Sequence, residues 1–295
     1  MSFALGRIGI WTGAFDAHST AVAQDGARHL ESLGYPTLWI PETVGRDPFV
    51  ASANLLAATT TLRLATGIAN IYARDPMTTV ACQNTLAEAY PDRFLLGLGV
   101  SHRHLVANVR KHDYSRPLSY LRTYLEGMDQ AMFMSVKPAT KPATVLAALG
   151  PKMLQLAATA ADGAHPYFTT PEHTAVARQT LGEGPILAPE QMVVLSSDPT
   201  EARTIARAGM SVYLRAPNYL NNLIRLGFDQ SDWADHNRAS DRLVDAVVAW
   251  GSPDTIAERV RAHHDAGADH VCVQVLRADR QLPLQEWTDL AGVLL

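Results

Sequence analysis

Residues 63–99 read RLATGIANIYARDPMTTVACQNTLAEAYPDRFLLGLG, and this stretch decides the fold class. It opens and closes on largely apolar runs, RLATGIA (63–69) and RFLLGLG (93–99). Parallel strands covered on both faces have this near-continuous apolar character. Between them, residues 76–90 begin with proline, which suits a first helical position because its missing N–H would be unpaired there in any case. Strand, helix and strand over about 30 residues is the length of a βαβ unit.

The same unit repeats toward the N-terminus, with strands expected at 7–13 (RIGIWTG) and 37–41 (TLWIP) and helices at 18–33 and 48–59. The second half is less regular. Strands are expected there at 144–149, 163–168, 191–196 and 269–276, which brings the total to eight. Helices are expected at 118–134, 200–214, 218–226 and 253–266, the last starting at Ser252-Pro253 and stopping at Gly267. A doubly wound sheet would carry G-x-G-x-x-G after its first strand, and Gly13 begins no such pattern. The expected fold is therefore α/β, a (β/α)8 TIM barrel with insertions at its rim. The 295 residues form a single domain in this reading, since one barrel takes about 250 and more with insertions.

Composition narrows the function. Hydrophobic residues at 47% against 18% charged allow a large core. A net charge of -4 with no block of like charges argues against nucleic-acid and membrane-surface partners. No segment approaches the roughly 20 apolar residues of a membrane span, and the first residues do not resemble a signal peptide, so a cytoplasmic protein is expected. Cys82 and Cys272 lie in apolar segments as reduced thiols, and the histidines show no zinc-binding spacing, so no metal is expected.

Catalytic groups of a barrel sit just past the carboxyl ends of its strands. Those ends are Thr12-Gly13, Glu42-Thr43, Gly67 to Asn70, and Gly99 to His102. Gly97 and Gly99 either let a flat ring approach the backbone or relieve packing inside the barrel. Glu42 is the best single acid/base candidate, set against a salt-bridged rim carboxylate. His102, His104 and His165 also follow expected strands. Gly150-Pro151-Lys152 opens a helix whose free N–H groups and lysine suit a phosphate, although on the residues alone an ordinary turn with a solvated lysine is favoured. The segments 103–117 and 217–242 are expected to wall the pocket, with Tyr114, Tyr167, Tyr219 and Trp233 as candidate linings.

Five segments in order carry a resemblance: TLWIPE (37–42), LATGIANIYARDP (64–76), LAEAYPDRFLLGLGVSH (86–102), VLAALGPKMLQLAATAADGAHPYF (145–168) and VAWGSPDTIAERVRAHHDAGADHVCVQVL (248–276). Together they resemble the luciferase-like monooxygenase superfamily, nearest to its actinobacterial-type F420-dependent oxidoreductases. The resemblance implies a TIM barrel with the ring of F420, or alternatively FMN, across its strand ends. It also implies a cis Gly67-Ile68 peptide in a bulged third strand. Gly67, Ile68 and Asn70 are carried over as ring contacts, Val100, Ser101 and His102 as the fourth-strand side, and Gly150, Lys152 and Met153 as the cofactor-phosphate site. Many relatives have a histidine where this chain has Thr43, so the proton donor is sought in Glu42 or in His102, His104 or His165. The implied activity is hydride transfer between deazaflavin C5 and a small organic substrate. An FMN monooxygenase using dioxygen is the second reading, and a non-catalytic flavin-binding protein the reading of another class. An aldolase barrel is disfavoured because no expected strand ends in lysine. The expected partner is a small-molecule substrate, with a homodimer as the candidate assembly.

Overall fold

Alternation of strands and helices runs through the computed structural model, which describes residues 3–235, 238–279 and 281–295. The strands are β1 (Ile8–Trp11), β2 (Thr37–Ile40), β3 (Arg63–Thr66), β4 (Ala69–Asn70), β5 (Phe94–Gly99), β6 (Thr144–Leu146), β7 (Gly163–Ala164), β8 (Ile186–Leu187), β9 (Glu190–Val194), β10 (Val248–Trp250) and β11 (Val271–Val275). Every pairing is parallel, in the order β10-β9-β11-β1-β2-β3-β5-β6-β7-β8, with β4 also on β5.

The sheet closes through β8 and β9, which are one strand interrupted at Ala188-Pro189. Proline has no N–H to give the ladder. On one side Ala188 N donates to Ala164 O (2.9 Å) and Glu190 N to Pro166 O (2.9 Å). On the other, Cys272 N donates to Pro189 O (3.0 Å). The eight expected strand positions are all occupied. The expected 144–149 and 163–168 runs end early, at Leu146 and Ala164. β8 and β10 were not anticipated, because runs of two and three residues leave no periodicity to read.

The inside of the barrel is filled by Trp39, Ala65, Leu95, Val145, Ala188 and Cys272, with Trp11 at its upper end. Trp39 lies between two buried imidazoles: it stacks on His165 (ring centroids 4.4 Å apart, planes 16° apart) and donates its edge N–H to His270 (3.0 Å). Gly9 makes this possible, since a Cβ there would meet His270 Nε2 at 2.6 Å. Around the sheet, helices present small and branched apolar faces. Helix Thr20–Ser32, capped by Ser19, buries Ala23, Ala27 and Leu30 at helical spacing.

Between β3 and β4 the chain leaves the ladder at Gly67-Ile68, whose peptide bond is cis. Thr66 repairs the gap: its hydroxyl donates to Gly97 O (2.7 Å) and accepts from Gly97 N (2.8 Å). A side chain thus stands in for the missing backbone partner, and the bulge turns Gly67 and Ile68 toward the strand ends. No helix among the described residues is long and apolar enough to cross a membrane. Cys82 and Cys272 are free thiols, and no group of three or more His, Cys, Asp or Glu among the described residues is placed to hold a metal.

Candidate active site

A cleft of about 350 Å³ opens at the carboxyl ends of the strands. The bulge supplies Gly67 and Ile68 to its lining, the end of β5 supplies Val100, Ser101 and His102, and the start of helix Pro151–Ala160 supplies Gly150 and Met153. Aromatic rings make up much of the wall. Trp11 meets Tyr167 (5.2 Å), Tyr167 meets Tyr213 (5.1 Å), and Tyr213 stands edge-on to Tyr219 (5.3 Å, 85°). Concave, largely apolar surfaces with a few placed polar groups are the usual form of a small-molecule site.

Two of the expected contacts stand outside this wall. Asn70 is buried behind it, its Oδ1 accepting from Tyr72 N (3.0 Å) and its backbone N–H donating to Glu42 Oε2 (2.8 Å). Lys152 is exposed and does not line the cleft. Trp233 likewise packs in a second core cluster instead of the wall. The two glycines of β5 follow the packing reading, not the ring-approach reading. A Cβ on Gly97 would lie 1.9 Å from Thr66 O, and one on Gly99 would lie 2.6 Å from Ile68 Cδ1. They let the bulge lie against β5, and so bear on the cleft through Ile68.

Glu42 borders the cleft with both carboxylate oxygens engaged by partners from the chain. Arg74 grips both oxygens, Nη1 on Oε2 at 2.8 Å and Nη2 on Oε1 at 3.0 Å, and Arg110 Nη2 lies 3.6 Å from Oε1. Glu42 N also donates to Ile68 O (3.2 Å). Arg74 is itself paired with Asp47 and lies over the Phe49 ring. Fork-to-fork arginine contacts of this kind are strong and geometrically specific. Of the two expectations for Glu42, acid/base or salt-bridged rim carboxylate, these contacts fit the second: the carboxylate clamps the bulge to the end of β2.

Histidines supply the groups that remain open. His102 lines the cleft against Tyr219 (5.4 Å), and its buried Nδ1 has no partner among the described residues. Burial lowers its pKa from the ordinary imidazole value, with the Asn218 side chain pulling the other way. His165 also borders the cleft while being only 1% exposed, and burial pushes it down to about 4. His104 is exposed and close to Asn108. Ser101, which lines the cleft, has φ of 54°, the left-handed region that non-glycine residues seldom adopt.

Segment 217–242 supplies wall residues as expected, though none of Asn218, Asn221 and Arg225 was singled out, and Trp11 and Tyr213 were not anticipated. Trp11 ends β1 and follows from the strand-end rule. Tyr213, Asn218, Asn221 and Arg225 come from the turn Tyr213–Arg215 and helix Pro217–Arg225, where no strand end marks them. Arg225 matters most, because its Nη1 is the one atom within 4 Å of a Cβ built on Gly150. The helix that Gly150 precedes has no side-chain cap, in contrast to those begun by Ser19, Asp47, Asp75, Thr170, Asp198 and Ser252.

The sequence model of the luciferase-like monooxygenase family matches residues 1–270. A 5,10-methylenetetrahydromethanopterin reductase from Archaeoglobus fulgidus is 23% identical over 284 residues, 82% of this chain and 85% of its own. Among solved structures, an F420-dependent secondary alcohol dehydrogenase in complex with an F420-acetone adduct superposes with a TM-score of 0.80 at 13% identity, covering 99% of this chain and 98% of its own. The oxygenating constituent of 3,6-diketocamphane monooxygenase from Pseudomonas putida, in complex with FMN, gives 0.72 at 15% identity, covering 97% and 95%. At these identities the structural likenesses are likenesses of fold. The match over residues 1–270 is what establishes descent, and the chain belongs to the luciferase-like monooxygenase family.

Proposed function

We propose that the chain is an F420-dependent oxidoreductase transferring a hydride between C5 of the deazaflavin and a small, uncharged organic substrate. The observation that carries this is a cleft sized for a flat ring in which His102 is the unlocked imidazole. The groups present fit such a cofactor. Ile68 and Gly67 offer a flat apolar floor, while the uncapped helix start at Gly150 and the guanidinium of Arg225 suit an anionic tail. When bound, the deazaflavin supplies two-electron hydride chemistry at C5.

The chain's own residues do the remainder. The aromatic wall excludes water around the reacting atoms and strengthens the electrostatics there. Glu42 is ion-paired with Arg74 and so offers no unpaired charge to a substrate at the strand ends, which favours a neutral one. His102 stands in for the histidine absent at Thr43. With the Asn218 contact on Nε2, its Nδ1 lone pair takes the proton of a substrate hydroxyl as the alcohol is oxidised and returns it in the reverse direction. Burial lowers its pKa and so favours the base form, and oxidation slows as pH falls through that lowered pKa. An FMN monooxygenase is the second reading, favoured by the likeness to the FMN-bound oxygenating component.

The test is turnover of F420, followed by its absorbance, with a panel of small alcohols and ketones. His102→Asn should lower the rate by about a hundredfold or more while F420 binding persists. An undiminished rate in that variant contradicts the assigned proton path.

A further inference from the structure

Two buried histidines contact Trp39, His165 at its face and His270 at its edge, and only His270 has both ring nitrogens paired among the described residues. His270 Nδ1–H donates to Gly6 O (2.8 Å), and its Nε2 accepts from Trp39 Nε1 (3.0 Å). His165 is held just as firmly on one side. Its ring stacks on the indole that His270 fixes, and its Nδ1 lies 2.7 Å from Ala188 O. A carbonyl oxygen only accepts, so the proton of His165 is on Nδ1 and its Nε2 carries a lone pair. That Nε2 is buried and has no partner among the described residues.

Its position is informative. His165, Gly67 and Trp11 all border the cleft. A Cβ built on Gly67 would lie 3.1 Å from His165 Nε2 and 2.6 Å from Trp11 Nε1, so the three meet at one corner of the cleft floor. Trp11 cannot satisfy the imidazole, because its N–H is already given to Gly67 O (3.0 Å). A buried acceptor left unpaired costs about 1–3 kcal/mol, and native proteins rarely leave one without a use. The nitrogen lies beside the cleft floor with no donor from the chain, so a ring seated on that floor is placed to supply one.

We propose that His165 Nε2 is a fixed hydrogen-bond acceptor for a donor on the flat ring bound in this cleft, and that the donor is an imide N–H. This rests on the cofactor reading above. The acceptor lies at the floor, within reach of a rigid ring and not of a flexible tail. The imide is the ring N–H that oxidised flavins and deazaflavins share. His165 is on this view a positioning residue: with Nδ1 tied to Ala188 and the ring clamped on Trp39, it presents a lone pair in one direction and selects rings with a donor there. It does not carry protons during turnover, a task left to His102.

The experiment compares FMN and F420, each beside a form methylated at the imide nitrogen, by equilibrium titration of wild type, His165→Phe and His165→Gln. Wild type should bind the unmethylated ring about tenfold or more tightly than the methylated one. The preference should collapse in His165→Phe and return in part in His165→Gln, whose carbonyl accepts. The second measurement needs no variant to fold: the nitrogen-15 resonance of His165 Nε2 in wild type should move on saturation with the unmethylated ring and stay put with the methylated one. An unmoved resonance on binding, or a methyl penalty that survives in His165→Phe, overturns the proposal while leaving the cofactor reading intact. Failure of wild type to bind either cofactor removes that reading and this proposal with it.

Discussion

Replacing Glu190 by glutamine should stabilise the protein, and by an amount that depends on pH. Glu190 is 1% exposed, its Oε2 accepts from Phe168 N (3.2 Å), and its Oε1 has no partner among the described residues. Burial pushes its pKa from 4.5 up to about 8, the Phe168 hydrogen bond opposing. A carboxyl whose folded pKa is raised binds its proton more tightly in the native state, so native stability falls as pH rises from 4.5 toward 8. At about 1.4 kcal/mol per pH unit, the cost is about 3 kcal/mol at pH 7 and about 1 kcal/mol at pH 5. Glutamine keeps the acceptor for Phe168 N and does not titrate. Its extra N–H groups take back about 1–2 kcal/mol, equally at both pH values. The variant's advantage should therefore be about 2–3 kcal/mol larger at pH 7 than at pH 5. Urea unfolding at the two pH values, followed by tryptophan fluorescence, measures it. The buried histidines titrate alike in both proteins and cancel. A difference between variant and wild type that is the same at pH 5 and pH 7 refutes the placement of Glu190 as a buried neutral acid.

His165, His263 and His270 are held at about 4, 3 and 3 by burial. The stability each provides is complete above 6.5 and lost as pH falls toward its folded value. In the Glu190→Gln background, urea unfolding between pH 6 and 5 should accordingly lose about 4 kcal/mol. Glu42→Gln breaks the clamp on the bulge and should cost about 2–4 kcal/mol in the same assay; a neutral result would show that Arg74 does not depend on Glu42. Gly97→Ala should yield no soluble folded protein, because its methyl would overlap Thr66 O, whereas Gly150→Ala, with only Arg225 Nη1 at 3.7 Å, should unfold within about 0.5 kcal/mol of wild type.

The first half of the barrel was legible because β1, β2, β3 and β5 are runs of four to six residues, long enough for continuous apolarity to show. In the second half the four expected strands were placed but their ends were not, and β8 was missed, because β7 and β8 are two residues each and their pairing rests on Thr144, Ala164 and Ala188 backbone groups that any residue provides. In the site, Gly67, Ile68, Val100, Ser101, His102, Gly150 and Met153 were reachable from strand ends and family likeness, and all line the cleft. For Glu42 the salt-bridged state was one of two readings, and its partner could not be named because Arg74 lies 32 positions away. Arg225 falls in the segment 217–242 expected to wall the pocket, but its place beside Gly150 was not legible, since only the folding of helix Pro217–Arg225 over the rim brings it there. Position along the chain indicates what is available at a rim, and tertiary partners determine which groups stay free.

The most direct test of the central claim is an equilibrium titration of the purified protein with F420 and, separately, with FMN, read by cofactor fluorescence. Saturable one-to-one binding of F420, tighter than that of FMN, is the predicted result. Tighter binding of FMN would contradict the hydride-transfer reading in favour of a monooxygenase, and binding of neither would mean that this cleft serves a different ligand.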